Sequence, residues 1–167
     1  MSFPSCPILA VSVLGIGLMI PIPAAANEAA EMIRVFYAAV DRGDRDVYAA
    51  MIADGFGDND RPATAPATAS DAQVILNLFS ELATGFPDAV HTLDLVEPIS
   101  PDADGNPRAM VRWTFEGDHA GTFFGIPASG NAISITGIDI FTARNGRFVE
   151  QWHVEELAQL FTQIDAR

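Results

Sequence analysis

The spacing of apolar residues changes part-way along the chain. Up to about residue 85 they recur roughly every 3.6 positions, which predicts helices, and after about residue 88 they alternate with polar residues, which predicts strands. Helices are expected to begin at Asn27, Asp44 and Ser70, because each of these residues can cap a helix N-terminus. Ser70 also forms a capping-box pattern with Gln73. Residues 54–70 are rich in Gly, Pro, Asp and Thr, which predicts irregular structure.

Four strands and a closing helix are predicted after this change. The predicted strands cover residues 89–99, 108–125, 132–143 and 147–154, and the helix covers residues 155–164. Asn145-Gly146 separates the last two strands and is a strong signal for a two-residue hairpin turn. If the alternation of the second strand continues, His119 lies on the same face as Trp113. Helices followed by antiparallel strands predict an α+β domain.

The hairpin turn determines which residues of the last two strands should face each other. With two residues in the turn, Asp139 is expected opposite Trp152, and Phe141 opposite Glu150. Directly opposite residues share a face, so two carboxylates are expected beside the rings of Phe141, Phe148 and Trp152. The other face is expected to carry Ile138, Ile140, Val149, Gln151 and His153.

Asp139 and Glu150 are therefore candidates for proton transfer. A carboxylate surrounded by aromatic rings is poorly solvated, which raises its pKa towards the range that is useful for acid–base catalysis. Two neighbouring acids can also divide into an ionised base and a protonated acid. The structural alternative is that either acid bonds a backbone amide or an arginine, or that this face meets solvent. Glu150 fits that alternative better than Asp139 does.

Residues 1–26 contain no Asp, Glu, Lys or Arg, and Ala24 and Ala26 form an Ala-x-Ala pattern at their end. An apolar stretch followed by small residues is typical of a secretory signal peptide. An uncleaved membrane anchor is the rival interpretation, but the stretch from Ile8 to Ile20 is shorter than the ~20 residues that a span needs. We therefore expect an exported protein, periplasmic or secreted, with a mature domain over residues 27–167 and no membrane span after cleavage.

The composition argues against several classes of site. The net charge of −13 repels nucleic-acid backbones, so no nucleic-acid partner is expected. The one cysteine, Cys6, lies in the predicted signal peptide, so a cleaved domain would have no disulfide, thiolate metal site or cysteine nucleophile. His91, His119 and His153 lack the spacing of a zinc site. We expect neither a metal nor a cofactor.

Three stretches of the sequence together resemble a known family. They are IRVFYAAVDRGDRDVYAAMIADGF at residues 33–56, LFSELATGFPDAVHTLDLV at residues 78–96, and the stretch from RWTFEGDH to LFTQI at residues 112–164. Within the third stretch, HAGTFFGIPASG, GIDIF and NGRFVEQW carry the resemblance most clearly. On these motifs, nearly all of the mature domain resembles the SnoaL-like polyketide cyclases of the NTF2-like superfamily.

The resemblance implies a cone-shaped α+β fold, in which a curved antiparallel sheet is wrapped by the N-terminal helices and encloses an apolar pocket. Cyclases of this family are understood to close polyketide rings by an aldol reaction that uses acid–base residues and no metal or cofactor. Carried over by motif, the expected catalytic residues are Asp139 and His119. The expected substrate-binding residues are Glu150, Trp152, Trp113, Phe141 and Phe124.

The chain also differs from the family pattern. Asp58-Asn59-Asp60 stands where the family often has a histidine, Thr142 where an arginine is common, and Glu156 where an aspartate is common. Two functions therefore stay open. One is a cofactor-independent acid–base enzyme, such as a cyclase or isomerase, that acts on a small apolar carbonyl or cyclic molecule. The other is an exported non-catalytic protein that binds a small hydrophobic ligand or a partner; a homo-oligomer is compatible with both.

Overall fold

The computed structural model describes residues 24–165, so residues 1–23 of the predicted signal peptide lie outside the described part. The elements of the described part are α1 (Ala24–Asp41), α2 (Arg45–Ala50), β1 (Ile52–Asp58), α3 (Asp71–Gly85), β2 (Val90–Ile99), β3 (Arg108–Asp118), β4 (Ala132–Arg144), β5 (Arg147–Glu155) and α4 (Leu157–Asp165). The first helix begins at Ala24 and not at the expected cap, Asn27. Within residues 24–165, no helix is both long enough and apolar enough to cross a membrane.

The five strands form one sheet in the order β1-β5-β4-β3-β2. Strands β2 to β5 pair antiparallel with their neighbours, whereas β1 runs parallel to β5. The mixture of helices with a largely antiparallel sheet confirms the α+β prediction. The expectation of irregular structure is wrong for residues 54–58, because they belong to β1.

Tertiary pairing explains why a segment poor in strand-forming residues becomes β1. Ile52 and Phe56 are buried in the core, and the backbone N–H of Phe148 donates a hydrogen bond of 2.7 Å to the carbonyl of Met51. Intrinsic strand propensity is weak relative to such contacts. The pairing brings Asp58, at the end of β1, beside β5.

Helices α1 and α3 pack against the inner face of the sheet. The predicted capping box of α3 is confirmed: Ser70 Oγ accepts a hydrogen bond of 3.2 Å from the Gln73 N–H, and Gln73 Oε1 accepts one of 2.9 Å from the Ser70 N–H. Phe36 of α1 joins the layers, because its ring centroid lies 5.3 Å from that of Phe79 on α3 and 5.5 Å from that of Phe148 on β5. These contacts fix α1 and α3 relative to the strands that carry the candidate site.

A bulge in β5 shifts the register of the hairpin. The two-residue turn forms as predicted, and Ala143 lies opposite Phe148. The preceding residue, Thr142, lies opposite Glu150, so Val149 is an extra residue on β5. A shift of one residue exchanges the two faces of a strand.

The remainder of β5 is therefore turned over relative to the sequence prediction. The predicted pairings of Asp139 with Trp152 and of Phe141 with Glu150 are wrong; Asp139 lies opposite His153 instead. Glu150 and Trp152 belong to the outer face. The inner face receives three polar side chains: Gln151, His153 and Glu155.

Candidate active site

A cavity of about 940 Å³ lies against the inner face of the sheet. Its walls are mainly apolar and include Ile75, Phe79, Leu82, Phe123, Ile135 and Leu160. Its polar groups are concentrated where α1 meets β4 and β5, and they include Tyr37, Asp139, Gln151, His153 and Glu155. An apolar cavity of this size with a few convergent polar groups has the usual form of a small-molecule site.

Asp139 extends from β4 to the cavity wall, and it is only 1% exposed. Its carboxylate accepts hydrogen bonds from the hydroxyl of Tyr37, from Trp113 Nε1 at 2.6 Å and from Gln151 Nε2 at 3.1 Å. Burial raises the pKa of Asp139, because the ionised form loses its hydration. The hydrogen bonds from Tyr37 and Trp113 oppose this rise, and the resulting pKa is about 6. The carboxyl group can therefore take and return protons close to neutral pH.

Tyr37 and Trp113 hold this carboxylate in place. Burial, together with the negative charge of Asp139, holds the pKa of Tyr37 well above its ordinary value, so its hydroxyl remains a donor. The indole of Trp113 lies over Gly137, its partner in the β3–β4 ladder. A Cβ at position 137 would lie only 2.2 Å from Trp113 Cζ2. The glycine therefore leaves the space through which the indole reaches Asp139.

His153 supplies a positive charge beside Asp139. Its Nε2 lies 3.2 Å from Asp58 Oδ1, and its Nδ1 lies 3.4 Å from Glu155 Oε2. Burial lowers the pKa of His153, but the carboxylates of Glu155 and Asp58 outweigh burial and raise it to about 9. His153 is therefore an imidazolium at neutral pH, and its charge partly offsets the three surrounding carboxylates.

Asp139, His153 and Glu155 are also the residues of the described chain that come closest to a metal-ligand set, since one ligand atom from each lies within 4.8 Å of the others. A histidine must be neutral and must present a free nitrogen to bind a metal. Both ring nitrogens of His153 lie beside carboxylates, and its raised pKa keeps the ring protonated. A metal ion at this cluster would therefore have to displace a proton from His153.

The model of the SnoaL-like polyketide cyclase family matches residues 30–164 of this chain. The chain belongs to this family. No curated protein matches it significantly.

Solved structures with the NTF2-like fold of SnoaL-like proteins align with most of the chain. TsrD from Streptomyces laurentii is 26% identical, with a TM-score of 0.67 over 84% of this chain and 97% of TsrD. A candidate SnoaL-like polyketide cyclase from Jannaschia sp. CCS1 is 21% identical, with a TM-score of 0.69 over 88% of this chain and 98% of its own. IdmH from Streptomyces antibioticus, a candidate polyketide cyclase, is 24% identical, with a TM-score of 0.61 over 81% of this chain and 96% of its own.

Within this SnoaL-like fold, only part of the predicted site comes together. Asp139, Trp113 and Phe124 all line the cavity. Phe124 is half exposed, and its backbone N–H donates a hydrogen bond of 2.8 Å to Glu81 Oε2 on α3. Phe141 is fully buried outside the cavity wall, where its ring packs 4.5 Å from that of Phe148. Its place is therefore in the core.

Glu150 and Trp152 lie away from the cavity because of the bulge in β5. Glu150 accepts hydrogen bonds from Thr142 Oγ1 at 3.1 Å and from Asn59 Nδ2 at 3.2 Å. Trp152 is 37% exposed, and the guanidinium carbon of Arg108 lies 5.8 Å from its ring centroid. The expectation that these two side chains face the pocket is wrong.

His119 does not contact Asp139 in the folded chain. It is fully buried beyond the end of β3, its ring lies 5.1 Å from that of Phe86, and it lies outside the cavity wall. Its Nδ1 accepts a hydrogen bond of 3.2 Å from the Ser129 N–H, and its backbone N–H donates one of 2.9 Å to the Asn131 carbonyl. These contacts anchor the loop between β3 and β4, which is a structural role.

Four residues around Asp139 are not predicted as site residues from the sequence: Tyr37, Gln151, His153 and Glu155. Tyr37 belongs to the apolar stripe of α1. A tyrosine hydroxyl on a buried helix face indicates a polar partner inside the fold. The three residues of β5 alternate with Trp152 and Val154. Such alternation is typical of a strand whose polar side faces solvent, but in this protein the polar side lines a cavity.

Proposed function

We propose that this protein is a cofactor-independent acid–base enzyme of the polyketide cyclase type, with Asp139 as its proton-transfer residue. The observation that carries the proposal is the position of the Asp139 carboxyl group: it is buried at the wall of a large apolar cavity, with a pKa of about 6. The substrate class that fits is a small apolar carbonyl compound or cyclic molecule. Membership of the SnoaL-like family supports an aldol or isomerase-type reaction.

The proposed chemistry begins with ionised Asp139, which removes a proton from the carbon next to a substrate carbonyl. The electron pair of the broken C–H bond moves onto the carbonyl oxygen and gives an enolate. In an aldol closure, the enolate carbon attacks a second carbonyl of the same molecule, and Asp139 returns its proton to the new alkoxide. In an isomerisation, Asp139 returns the proton to another carbon. Nearby His153 provides a positive charge that stabilises these anions.

Tyr37, Trp113 and Gln151 keep the base in position during this cycle. Their hydrogen bonds reach both carboxylate oxygens of Asp139. The remaining oxygen of the Gln151 amide, Oε1, is buried and has no hydrogen-bond partner within residues 24–165. A buried acceptor without a partner costs about 1–3 kcal/mol.

Two probe reactions test the proposal. Cyclohex-3-enone reports proton transfer through its isomerisation to the conjugated enone, and heptane-2,6-dione reports aldol closure through formation of methylcyclohexenone. The wild type should convert at least one probe faster than buffer, and Asp139→Asn should lower kcat by ~10²–10⁴-fold while folding and probe binding are kept. Absence of conversion by the wild type, or conversion that is unchanged in Asp139→Asn, would contradict the proposal.

A non-catalytic binding protein is the second candidate. It is favoured by the mainly apolar cavity and by the departures from the family pattern, since Asp58 is engaged with His153 and Thr142 with Glu150. Native mass spectrometry of protein purified from its own host distinguishes the candidates. A tightly bound hydrophobic molecule that the wild type does not convert at any pH from mildly acidic to mildly basic supports binding alone.

We further propose that the protein is exported and that cleavage occurs after Ala26. The charge-free segment with its Ala-x-Ala pattern supports this proposal. Intact-mass measurement of protein recovered from the periplasm or medium should give a chain that begins at Asn27. A recovered chain that still contains Cys6 would contradict cleavage.

A further inference from the structure

A partly buried aspartate–histidine pair lies next to the candidate site and has no part in the chemistry proposed above. His91 on β2 points its Nδ1 at Asp41 Oδ1, at 2.5 Å, and the other oxygen of Asp41 accepts a hydrogen bond of 3.1 Å from the backbone N–H of His91. The two contacts fix both the position and the rotation of the imidazole. A carboxylate on Nδ1 of a histidine is the usual device for presenting Nε2 to a substrate.

The His91 ring is held among the residues that position Asp139. Its centroid lies 4.8 Å from the ring of Tyr37 and 5.3 Å from that of Trp113, and both of these residues donate hydrogen bonds to Asp139. On another side the ring packs 4.5 Å from Phe115. His91 and Asp139 are therefore separated by one layer of side chains that contacts both.

The position of His91 directs its second nitrogen to the large cavity. His91 lines that cavity and also a smaller one of about 170 Å³, whereas Asp41 lines only the smaller one. Since Nδ1 points to Asp41, the opposite edge of the ring, with Nε2, faces the large cavity. The side chain is 3% exposed, so the cavity is its route to small molecules.

The environment of Nε2 agrees with this direction. In the described part of the chain, no hydrogen bond to His91 Nε2 is present. The buried side-chain polar atoms that lack a partner there are Arg108 Nε, His119 Nε2 and Gln151 Oε1. His91 Nε2 is not one of these buried atoms, so this unpaired nitrogen has accessible surface, and the contact of Nδ1 with Asp41 directs that surface to the large cavity.

We propose that His91, oriented by Asp41, is a second catalytic residue of this cavity and exchanges protons with the substrate oxygen while Asp139 exchanges them with carbon. The inference rests on the proposed function. As Asp139 takes the proton from carbon, the C–H pair moves to the carbonyl oxygen, and imidazolium His91 gives that oxygen its Nε2 proton. When Asp139 returns its proton to another carbon, Nε2 takes the hydroxyl proton back and the carbonyl forms again. Both residues end the cycle as they began.

Isomerisation of cyclohex-3-enone by the full mature protein tests this assignment. His91→Gln should lower kcat by ~10²-fold or more with little change in KM, because it removes the proton donor and not the cavity wall. Asp41→Asn should lower kcat by a smaller factor, because it removes the partner that orients the ring. Asp94→Asn is the matched control, since Asp94 lies on the same strand but on the outside, where it accepts a hydrogen bond of 2.9 Å from Thr114 Oγ1. Circular dichroism verifies that each variant is folded.

Modification by diethyl pyrocarbonate gives a second readout that needs no turnover. His91, at the cavity wall, should be modified faster than fully buried His119, and cyclohex-2-enone should slow the modification of His91. Equal rates for the two histidines would overturn the inference. If His91→Gln keeps full turnover although Asp139→Asn has lost it, that result would also overturn the inference, and the proposed function would stay intact. A wild type without turnover would overturn both.

Discussion

Asp139 lies directly opposite His153 across the β4–β5 ladder. The pair joins a buried carboxyl group, whose pKa is raised to about 6, to an imidazole whose pKa is raised to about 9. Over the range between these values the pair consists of a carboxylate and an imidazolium. That state provides a base for the substrate and a positive charge that stabilises an anion formed from it.

The face of β5 that meets the cavity can be tested with neighbouring residues. Gln151→Leu removes the donor at Asp139 Oδ1, and we expect turnover of cyclohex-3-enone to fall roughly fivefold, which corresponds to one hydrogen bond of about 1 kcal/mol. Trp152→Leu changes a half-exposed residue of the outer face and should leave turnover unchanged. The opposite ranking of these two variants would favour the register without the bulge.

Asp139 should make the folded protein less stable as pH rises. Its pKa is 3.8 in an ordinary environment and about 6 when folded, so between these values the folded chain keeps a proton that the unfolded chain loses. The contribution of Asp139 to stability therefore falls across this window. The free energy of unfolding of Asp139→Asn, relative to that of the wild type, should therefore increase by up to about 3 kcal/mol as pH rises from 4 to 7. Urea denaturation measures this gain, and a difference that does not change with pH would contradict the raised pKa.

His153 should stabilise the fold in its protonated form. Its folded pKa of about 9 exceeds the ordinary value of 6.5, so its stabilising contribution is complete below pH 6.5 and is lost as pH rises through about 9. His153→Gln should therefore be less stable than the wild type at pH 6, and the difference should shrink above pH 9. Thermal unfolding across this pH range checks the expectation. A stability difference between the variant and the wild type that widens with pH would show that the neutral ring is the stabilising form.

Gly137 should be required for the position of Trp113. In Gly137→Ala the new methyl group would meet the indole, which must move away from Asp139, and such overpacking costs about 1–3 kcal/mol. Gly55→Ala is the control, because nothing lies within 4 Å of a Cβ there. Thermal unfolding measures the loss of stability, and tryptophan fluorescence reports the displacement of the indole. Equal stability of the two variants would contradict the close contact.

Much of the fold follows from local patterns in the sequence. The periodicity predicts the helices and β2 to β5, although β3 ends at Asp118 and not at residue 125, and the capping box at Ser70 depends only on residues close in sequence. Strand β1 could not be predicted in this way. Its glycines and aspartates disfavour a strand, and its ladder partner is the parallel strand β5, which is distant in sequence.

The sequence predicts Asp139, Trp113 and Phe124 beside a pocket, and all three line the cavity, but it does not predict the polar residues of α1 and β5 that surround Asp139. The Asn145-Gly146 signal sets the register only next to the turn, and the extra residue Val149 reverses every later side chain of β5. Polarity could not reveal the reversal, since Gln151 and His153 look like solvent-facing residues. On the inner face, Gln151 donates a hydrogen bond to Asp139 on β4, and His153 lies beside the carboxylate of Asp58 on β1.

Titration of Asp139 by NMR, with carboxyl-labelled aspartate in the folded wild type and in Asp139→Asn for assignment, is the most direct test of the central claim. We expect the resonance that disappears in the variant to titrate with a pKa of about 6. That result would place a proton-exchanging carboxyl group in the cavity at near-neutral pH. A value at or below the ordinary 3.8 would show that the hydrogen bonds from Tyr37 and Trp113 outweigh burial, and it would contradict Asp139 as the proton-transfer residue.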